Sequence, residues 1–475
     1  MNARKITIEP VTRIEGHARV TIHLNPDGGV DRTFFHVDEF RGLEKFSEGR
    51  PYFEMPQITQ RICGICPVSH HLASAKACDA VLGVEPPRPA RLLRELMHMG
   101  QIVQSHGMHF FHLAAPDLLF GFDADPAQRN VFGIVKANPQ LALKAVHLRR
   151  FGQQIIEFLG GKRIHPNFAI PGGVNAPLAL KDRDAIAAEW DQQLAFGREA
   201  VDLIKNWLAD HDELGRSFAA FPSGYMGLVD SQGELQLYEG QVRIRDARGD
   251  LLTQFAPPAY LENIGEHVEP WSFLKFPYYR KQGWPQGAYR VGPLGRLNAV
   301  DKMGTPLAEK ELAGFRQSAG GKPVEGSLFY HYARMIELLF ALETIGRLLD
   351  DPDILSTDIR TSGPGPLNTR GIGIIEAPRG TLIHDYTVDE NGLLSRVNLI
   401  VATGHNNWAM NEAVACVARA YINGSRPTEG ILNRVEASIR CYDPCLSCST
   451  HAIGKMPLQL MVMGADGTIL QQIAR

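Results

Sequence analysis

No stretch of 18 consecutive apolar residues occurs in this sequence, so a membrane-spanning helix is not expected. The opening residues, MNARKITIEPVTRIEGH, lack an apolar h-region and a cleavage-like site, so no secretory signal is expected on them. A dominant charge sign is also missing. Lys and Arg number 49 against 52 Asp and Glu, a net charge of −3, which argues against a nucleic-acid surface or a polybasic membrane patch. There is no internal repeat and no low-complexity linker. Cysteine is scarce: seven residues in 475, an odd number that does not suit a disulfide framework. What remains is an ordinary globular composition, 44% hydrophobic and 21% charged, enough for one large domain or a few smaller ones.

The first 40 residues alternate in period two (KITIEP, ARVTIHL, TFFHV), which predicts short antiparallel strands around a Pro-Asp-Gly-Gly turn. Residues 89–113 repeat apolar positions at a 3.6-residue period, and Asn138-Pro139 opens another helix that Gly160-Gly161 closes. Residues 182–209 and 327–349 read as two further long helices. Residues 220–325 are rich in Gly, Pro and Tyr, with hairpin-like pieces at 242–255, and read as an elaborated insertion rather than a separate domain. Strands are expected at 381–388 and 395–402, and a last hairpin around Asp466-Gly467. The expected class is α+β: a central bundle of long helices with small antiparallel sheets at its periphery, forming one domain over residues 1–451.

Four of the seven cysteines fall into two Cys-x-x-Cys pairs, Cys63/Cys66 in RICGICPVSHH and Cys445/Cys448 in DPCLSCSTH. Thiolates are soft, charged donors, and this spacing lets a tight turn aim two sulfurs at one ion. Zinc is the common outcome of such spacing, but 379 residues separate Cys66 from Cys445, whereas structural zinc usually clips a short loop. A thioredoxin-like dithiol is a second reading of CGIC, yet no convincing βαβ strand precedes it and the second pair would be idle. Four thiolates on one divalent ion leave a net negative charge that needs nearby cations. Arg61 and Arg440 flank the pairs, and His70, Asp443 and His451 lie close in sequence. A structural zinc site needs no such proton-handling groups.

VTRIEGH (11–17), FRGLE (40–44), RICGICPVSH (61–70), HFFHLAAPD (109–117), EAPRG (376–380) and DPCLSCSTH (443–451) follow one another in order. Together they resemble the large subunit of [NiFe] hydrogenases, over nearly the whole chain. Stretches such as FPYYRKQGWPQGAYRVGPL are most similar to the cytoplasmic, NAD-linked bidirectional branch. The resemblance implies reversible cleavage of H2 to protons and electrons at a Ni–Fe centre whose iron carries CO and cyanide. It makes Cys63 and Cys445 terminal ligands of nickel, and Cys66 and Cys448 bridging ligands. Glu15 matches the glutamate that takes a proton from the terminal cysteine of the C-terminal pair; its plainer role is to cap the turn before Gly16. Arg379 matches an arginine over the metals, assisted by Asp117 and Asp443, though it could equally be a buried ion pair.

Pro378 and Thr403 match positions around the diatomic ligands, with Ala402 a departure from the Pro-Ser or Pro-Thr of many relatives. His70 matches a histidine directed at a bridging sulfur, although a lone histidine is more often simply packed. Glu44, His451 and the backbone carbonyl of Leu399 match ligands of a second metal, Mg2+, for which histidine is an atypical donor. Cys78, Cys416 and Cys441 have no metal spacing and read as core thiols.

No ferredoxin-type cysteine run is present, and Gly371-Ile-Gly373 lacks the third glycine of a dinucleotide-binding loop. No iron–sulfur cluster, flavin or NAD is therefore expected on this chain. The implied partners are diaphorase subunits carrying flavin, clusters and NAD, together with an iron–sulfur small subunit. Ni/Fe insertion factors and a maturation protease are implied as well. The protease would remove residues 452–475 after His451. The competing reading is a non-catalytic relative in a membrane complex, and its mark, loss of the cysteine pairs, is absent.

Overall fold

The computed structural model describes residues 5–361, 366–423, 427–450, 459–463 and 469–474. Four long helices build the centre. Pro67–Leu82 starts on Pro67 and stops at Gly83, whose left-handed backbone only glycine adopts freely. Arg88–Met108 likewise begins with a proline in its first turn. Pro139–Gly160 is capped by the Asn138 side chain, which accepts from the Leu141 N–H. Phe329–Leu349 is buried on nearly every face, as an apolar helix at the middle of a large core must be. Leu180–Asp210 lies against it. No helix among the described residues is long and apolar enough to cross a membrane.

Small sheets surround this bundle, and the class is α+β. Lys5–Ile8, Arg19–Leu24 and Val30–His36 form the expected antiparallel sheet. Within 220–325, Gly224–Val229, Gln241–Arg245, Leu251–Phe255 and the parallel strand Tyr289–Arg290 make a four-stranded sheet. Met226, Leu228 and Ile244 of that sheet share an apolar cluster with Ile374, Ile383 and Ile400, so the segment packs onto the strands that carry Arg379. The C-terminal strands Gln459–Met463 and Ile469–Ala474 pair antiparallel; the Asp466-Gly467 turn lies outside the described residues.

Two expectations need correction. The period-3.6 pattern of residues 89–113 runs through a register change: the α-helix ends at Met108 and His109–Ala114 is a π-turn. The apolar series that marks the period ends at Phe110, at the start of the π-turn, so sequence periodicity stops before the shift could show. The second is an omission: the sequence pattern yields strands at 381–388 and 395–402 but none at Arg370–Ala377. It is the first strand of a three-stranded sheet with Gly380–Val388 and Leu394–Ile400.

Gly371 and Gly373 mask that strand because they interrupt its apolar run, and they do so for a packing reason. A Cβ at Gly373 would stand 2.0 Å from the Ala73 carbonyl oxygen, and one at Gly371 2.1 Å from that of Ala77. The Pro67–Leu82 helix thus rides directly on strand backbone, which ties Cys66 at its start to Arg379 at the strand's far end. Gly373→Ala is expected to cost about 1–3 kcal/mol, read as a lowered urea midpoint. An unchanged midpoint would show that the helix can shift away freely.

Candidate metal centre

The N-terminal pair sits on a tight turn between the short helix Gln60–Ile62 and the helix that begins at Pro67. The Ile65 and Cys66 N–H groups both donate to Cys63 Sγ, at 3.2 and 3.3 Å, which fixes the direction of that sulfur. The C-terminal pair brackets one helical turn, Leu446–Ser449, entered through Asp443 at φ 53°. Residues from the far end of the chain hold it in place. The Glu15 N–H donates to the Pro444 carbonyl and the Leu446 N–H to the Glu15 carbonyl, at 3.4 and 3.1 Å, a short parallel bridge. Gly16 permits this approach, since a Cβ there would meet Leu446 Cβ at 2.8 Å.

The two half-sites meet. Cys63 Sγ lies 3.4 Å from Cys445 Sγ, Cys66 Sγ 3.5 Å from Cys448 Sγ, and the sulfurs of Cys445 and Cys448 are 2.9 Å apart. All four fall within 4.8 Å of one another, all are buried, and none is in a disulfide. Without metal such a cluster cannot carry four charges. Hydrogen bonds from Cys445, Cys448 and Cys63 hold Cys66 well below the usual thiol range, while burial pushes Cys445 and Cys448 well above it. A metal that displaces the remaining protons fits this donor set.

Cations stand ready for the resulting charge. Arg379 is buried; its Nε donates to the Asp443 carbonyl at 2.5 Å and its Nη2 to Asp443 Oδ1 at 3.0 Å. Arg379 Nη1 and Asp443 Oδ2 are buried without a hydrogen-bond partner, so polar capacity is left over at the site. Burial works against the Arg379 charge, yet Asp443 and the cysteine sulfurs keep it protonated. Arg334, which sequence reading missed, donates to the Cys441 carbonyl at 3.0 Å. Its signal was an arginine, with Glu337 one turn on, in the middle of a largely apolar helix. Arg440 is fully buried as expected of a flanking cation, whereas Arg61 is exposed and bonds to His165 instead.

The remaining expected residues divide. Glu15 Oε2 accepts from Cys445 Sγ at 3.0 Å and from the Ser447 N–H at 3.1 Å, and the residue is half-buried. Thr403 Oγ1 accepts from the Cys445 N–H at 3.0 Å. His70 lines the same cavity as Cys66 and bonds through Nδ1 to His384 Nε2 at 3.2 Å; His384 Nδ1 meets the Tyr386 hydroxyl at 2.6 Å, which donates to Ser74 Oγ. That buried chain fixes the His70 ring, and sequence reading did not anticipate it. Asp117 does not assist Arg379. Its carboxylate is taken by Arg13 at 2.5 Å, Asn433 at 3.1 Å and Arg440 at 3.3 Å. It therefore anchors the Glu15 segment and the approach to Asp443, because those guanidiniums reach it first.

Glu44 Oε1 accepts from the Leu399 N–H at 2.7 Å, and burial pushes its carboxyl up to about 7, an effect that this hydrogen bond partly offsets. His451 lies outside the described residues. The adjacent Thr450 carbonyl accepts from the Arg41 N–H at 2.8 Å, three residues from Glu44. Cys78 and Cys441 are buried thiols whose ionisation burial opposes, and Cys416 is half-buried.

Beside the sulfurs is an enclosed cavity of about 10 Å³, lined by Cys66, Cys445, Cys448, Arg379, Ala402 and Thr403 among others. It has room for about one water-sized group. Ala377 and Arg379, on either side of Pro378, face it. The large surface groove of about 690 Å³ around Arg248 and Phe329 contains none of these residues.

The family described as nickel-dependent hydrogenase matches residues 41–130 and 229–451, and one described as HoxL-like matches residues 5–40. This chain belongs to the nickel-dependent hydrogenases. It is 42% identical, over the full length of both chains, to the NAD-reducing hydrogenase HoxS subunit beta of Cupriavidus necator. It is also 42% identical to a chain of the F420-non-reducing hydrogenase of Methanothermobacter thermautotrophicus, over 99% of this chain and 100% of the other. Among solved structures, an NAD+-reducing [NiFe]-hydrogenase in the H2-reduced state superimposes with a TM-score of 0.92 at 46% identity, covering 95% of this chain and all of the other. The Ni-Fe-Se hydrogenase of D. vulgaris Hildenborough gives 0.77 at 25%, with the same coverage.

The hydrogenase is thus an oxidoreductase acting on H2, and its four-cysteine cluster is the metal site of a nickel enzyme. The zinc and dithiol readings fall. Cys448→Ser replaces a soft ligand by a hydroxyl that stays protonated, so little nickel should remain by elemental analysis. A variant with full nickel would remove Cys448 from the ligand set.

Proposed function

We propose that this chain is the hydrogen-activating subunit of a cytoplasmic, NAD-linked complex. In this reading Cys63, Cys66, Cys445 and Cys448 would hold nickel, and Cys66 and Cys448 would also serve an iron that carries CO and cyanide. When bound, the centre would supply Lewis acidity and redox capacity for splitting H2 heterolytically. The protein's own part is to receive the proton, hold the charge and keep the site dry. Thr403 and the Ala377–Arg379 turn, which line the cavity beside the sulfurs, would enclose the diatomic ligands, with Pro378 shaping the turn. His70 donates toward the Cys66 sulfur and lowers its electron density.

The observation that carries the reading is the contact between Cys445 Sγ and Glu15 Oε2 at 3.0 Å. Cys445 Sγ takes the proton, and Glu15 Oε2 accepts it next. The Ser447 N–H steadies that oxygen, and the half-buried carboxylate leads from the enclosed sulfurs toward the surface. Arg379 stays protonated above the sulfurs, oriented by both oxygens it meets on Asp443, and its remaining Nη1–H donors are available to anionic groups at the centre.

Electrons need a carrier next to the centre. We assign it to an iron–sulfur small subunit, with NAD handled by flavin- and cluster-containing diaphorase subunits. The archaeal relative of equal identity is named F420-non-reducing, but the fit to the NAD+-reducing structure favours the NAD-linked acceptor. Glu44, the Leu399 carbonyl and His451 form the proposed Mg2+ site. Insertion factors load the metals, and a protease then removes residues 452–475.

Glu15→Gln keeps size and hydrogen bonding but cannot pass a proton on. H2/D2O exchange should fall by about 100-fold or more, with nickel and iron content unchanged; normal exchange would place the proton exit elsewhere. Mass spectrometry of the active enzyme should find a chain ending at His451. Active protein that retains Arg475 together with full nickel would sink the processing step.

A further inference from the structure

Arg379 stands in the two-residue turn between strands Arg370–Ala377 and Gly380–Val388, where Ala377 pairs with Gly380. A two-residue turn fixes the backbone but leaves its direction dependent on what braces it from behind. Here the brace is Arg296, on the buried helix Gly292–Ala299. Its guanidinium is fully enclosed and all five of its N–H groups are engaged. Nε and Nη2 make a bidentate pair with Glu337 at 2.6 Å each. Nη1 donates to Glu376 Oε2 at 2.7 Å. The last two N–H groups donate to the carbonyls of Ala377 at 2.9 Å and Pro378 at 3.3 Å, the two residues immediately before Arg379.

Close packing reinforces the same face. A Cβ at Gly380 would stand 2.2 Å from Val291 Cγ2, and one at Gly292 2.9 Å from the Arg379 carbonyl. The two carboxylates are pinned in turn. His106 Nε2 lies 3.0 Å from Glu337, and Glu376 accepts from Thr381 Oγ1 at 2.8 Å and the Leu228 N–H at 3.1 Å. One buried cation therefore links the central helix, the sheet and the turn that presents Arg379.

The geometry points to Arg296 as a positioning residue for hydrogen cleavage: it sets the height and aim of the Arg379 guanidinium over the sulfurs by holding the carbonyls of residues 377 and 378. This rests on the proposed role of Arg379. A planar fork is required, because a lysine ammonium has three donors and cannot span Glu337, Glu376 and both carbonyls.

The test uses the purified, metal-loaded complex with wild type, R296K, R379K and the double variant. R296K should keep its nickel content and lose about 10- to 100-fold in H2/D2O exchange. Its nickel paramagnetic resonance signal should shift in the same sense as that of R379K. The double variant should exchange no more slowly than R379K alone, because both changes act through one group. Losses that multiply in the double variant, or wild-type exchange and an unshifted signal in R296K while R379K is slow, would overturn the brace. Normal exchange in R379K would instead remove the role of Arg379 and leave the brace nothing to act through. If R296K does not accumulate, E337Q carries the same test. Its smaller loss should vanish in the R379K background, and a loss that persists there overturns the proposal.

Discussion

Burying four sulfurs beside one another governs the design of this protein. Each thiolate withdrawn from water costs several kcal/mol unless something positive is near, and here the sulfurs come from two ends of the chain. Arg379, Arg334 and Arg440 are all buried within the neighbourhood of the C-terminal pair, and every one is held by oxygen atoms that fix its place. Those cations are themselves expensive to bury, so they bring Asp443, Asp117 and Asn433 with them. The polar core thus grows outward from the cysteines until its charges are balanced, and the apolar helices exist to exclude water from it.

The second buried ionic group, Arg296 with Glu337 and Glu376, follows the same logic one layer out. Burial raises the Glu376 carboxyl to about 6, with Arg296 and Thr381 pulling against it. For Glu337, burial also raises the carboxyl, but Arg296 and His106 outweigh it and bring it down to about 2. Two carboxylates on one guanidinium leave a net negative charge behind the turn. The site in front has cations facing its sulfurs, so the protein alternates sign through its interior and avoids a large uncompensated charge in any one layer.

Much of this was legible in the sequence. Regular apolar periods gave the long helices, and alternation with a clear turn gave the first sheet, because those patterns record a single buried face. The cysteine pairs, Glu15 and Arg379 were visible because they sit in short ordered motifs. Arg370–Ala377 was not, since its two glycines answer to a helix that packs on it from 300 residues away in sequence. Asp117 was assigned the wrong neighbour for a related reason: a motif shows that a carboxylate is required but not which of several arginines reaches it. Arg296, Glu337 and Arg334 lie inside apolar helices, where pattern reading treats a charge as an interruption. His384 and Tyr386 share one face of a strand, and the chain they form behind His70, with His384 touching it and Tyr386 behind His384, appears only when the sheet is laid on the helix.

The parallel bridge between Glu15 and Cys445 also shows how half-sites so distant in the chain are held together. Its hydrogen bonds join the first connection of the opening sheet to the turn that carries the C-terminal cysteines, so the two ends of the chain hold each other directly at the site. Arg13, held by Asp117 and the Leu113 carbonyl, sets the N-terminal half of that bridge from the π-turn region. Asp443, bonded to Arg379, sets the other half from the sheet. The same bridge lays the Glu15 carboxylate against the Cys445 sulfur, at 3.0 Å. With both halves of the bridge anchored to buried ion pairs of the scaffold, the sulfurs can be both deeply buried and held in fixed directions.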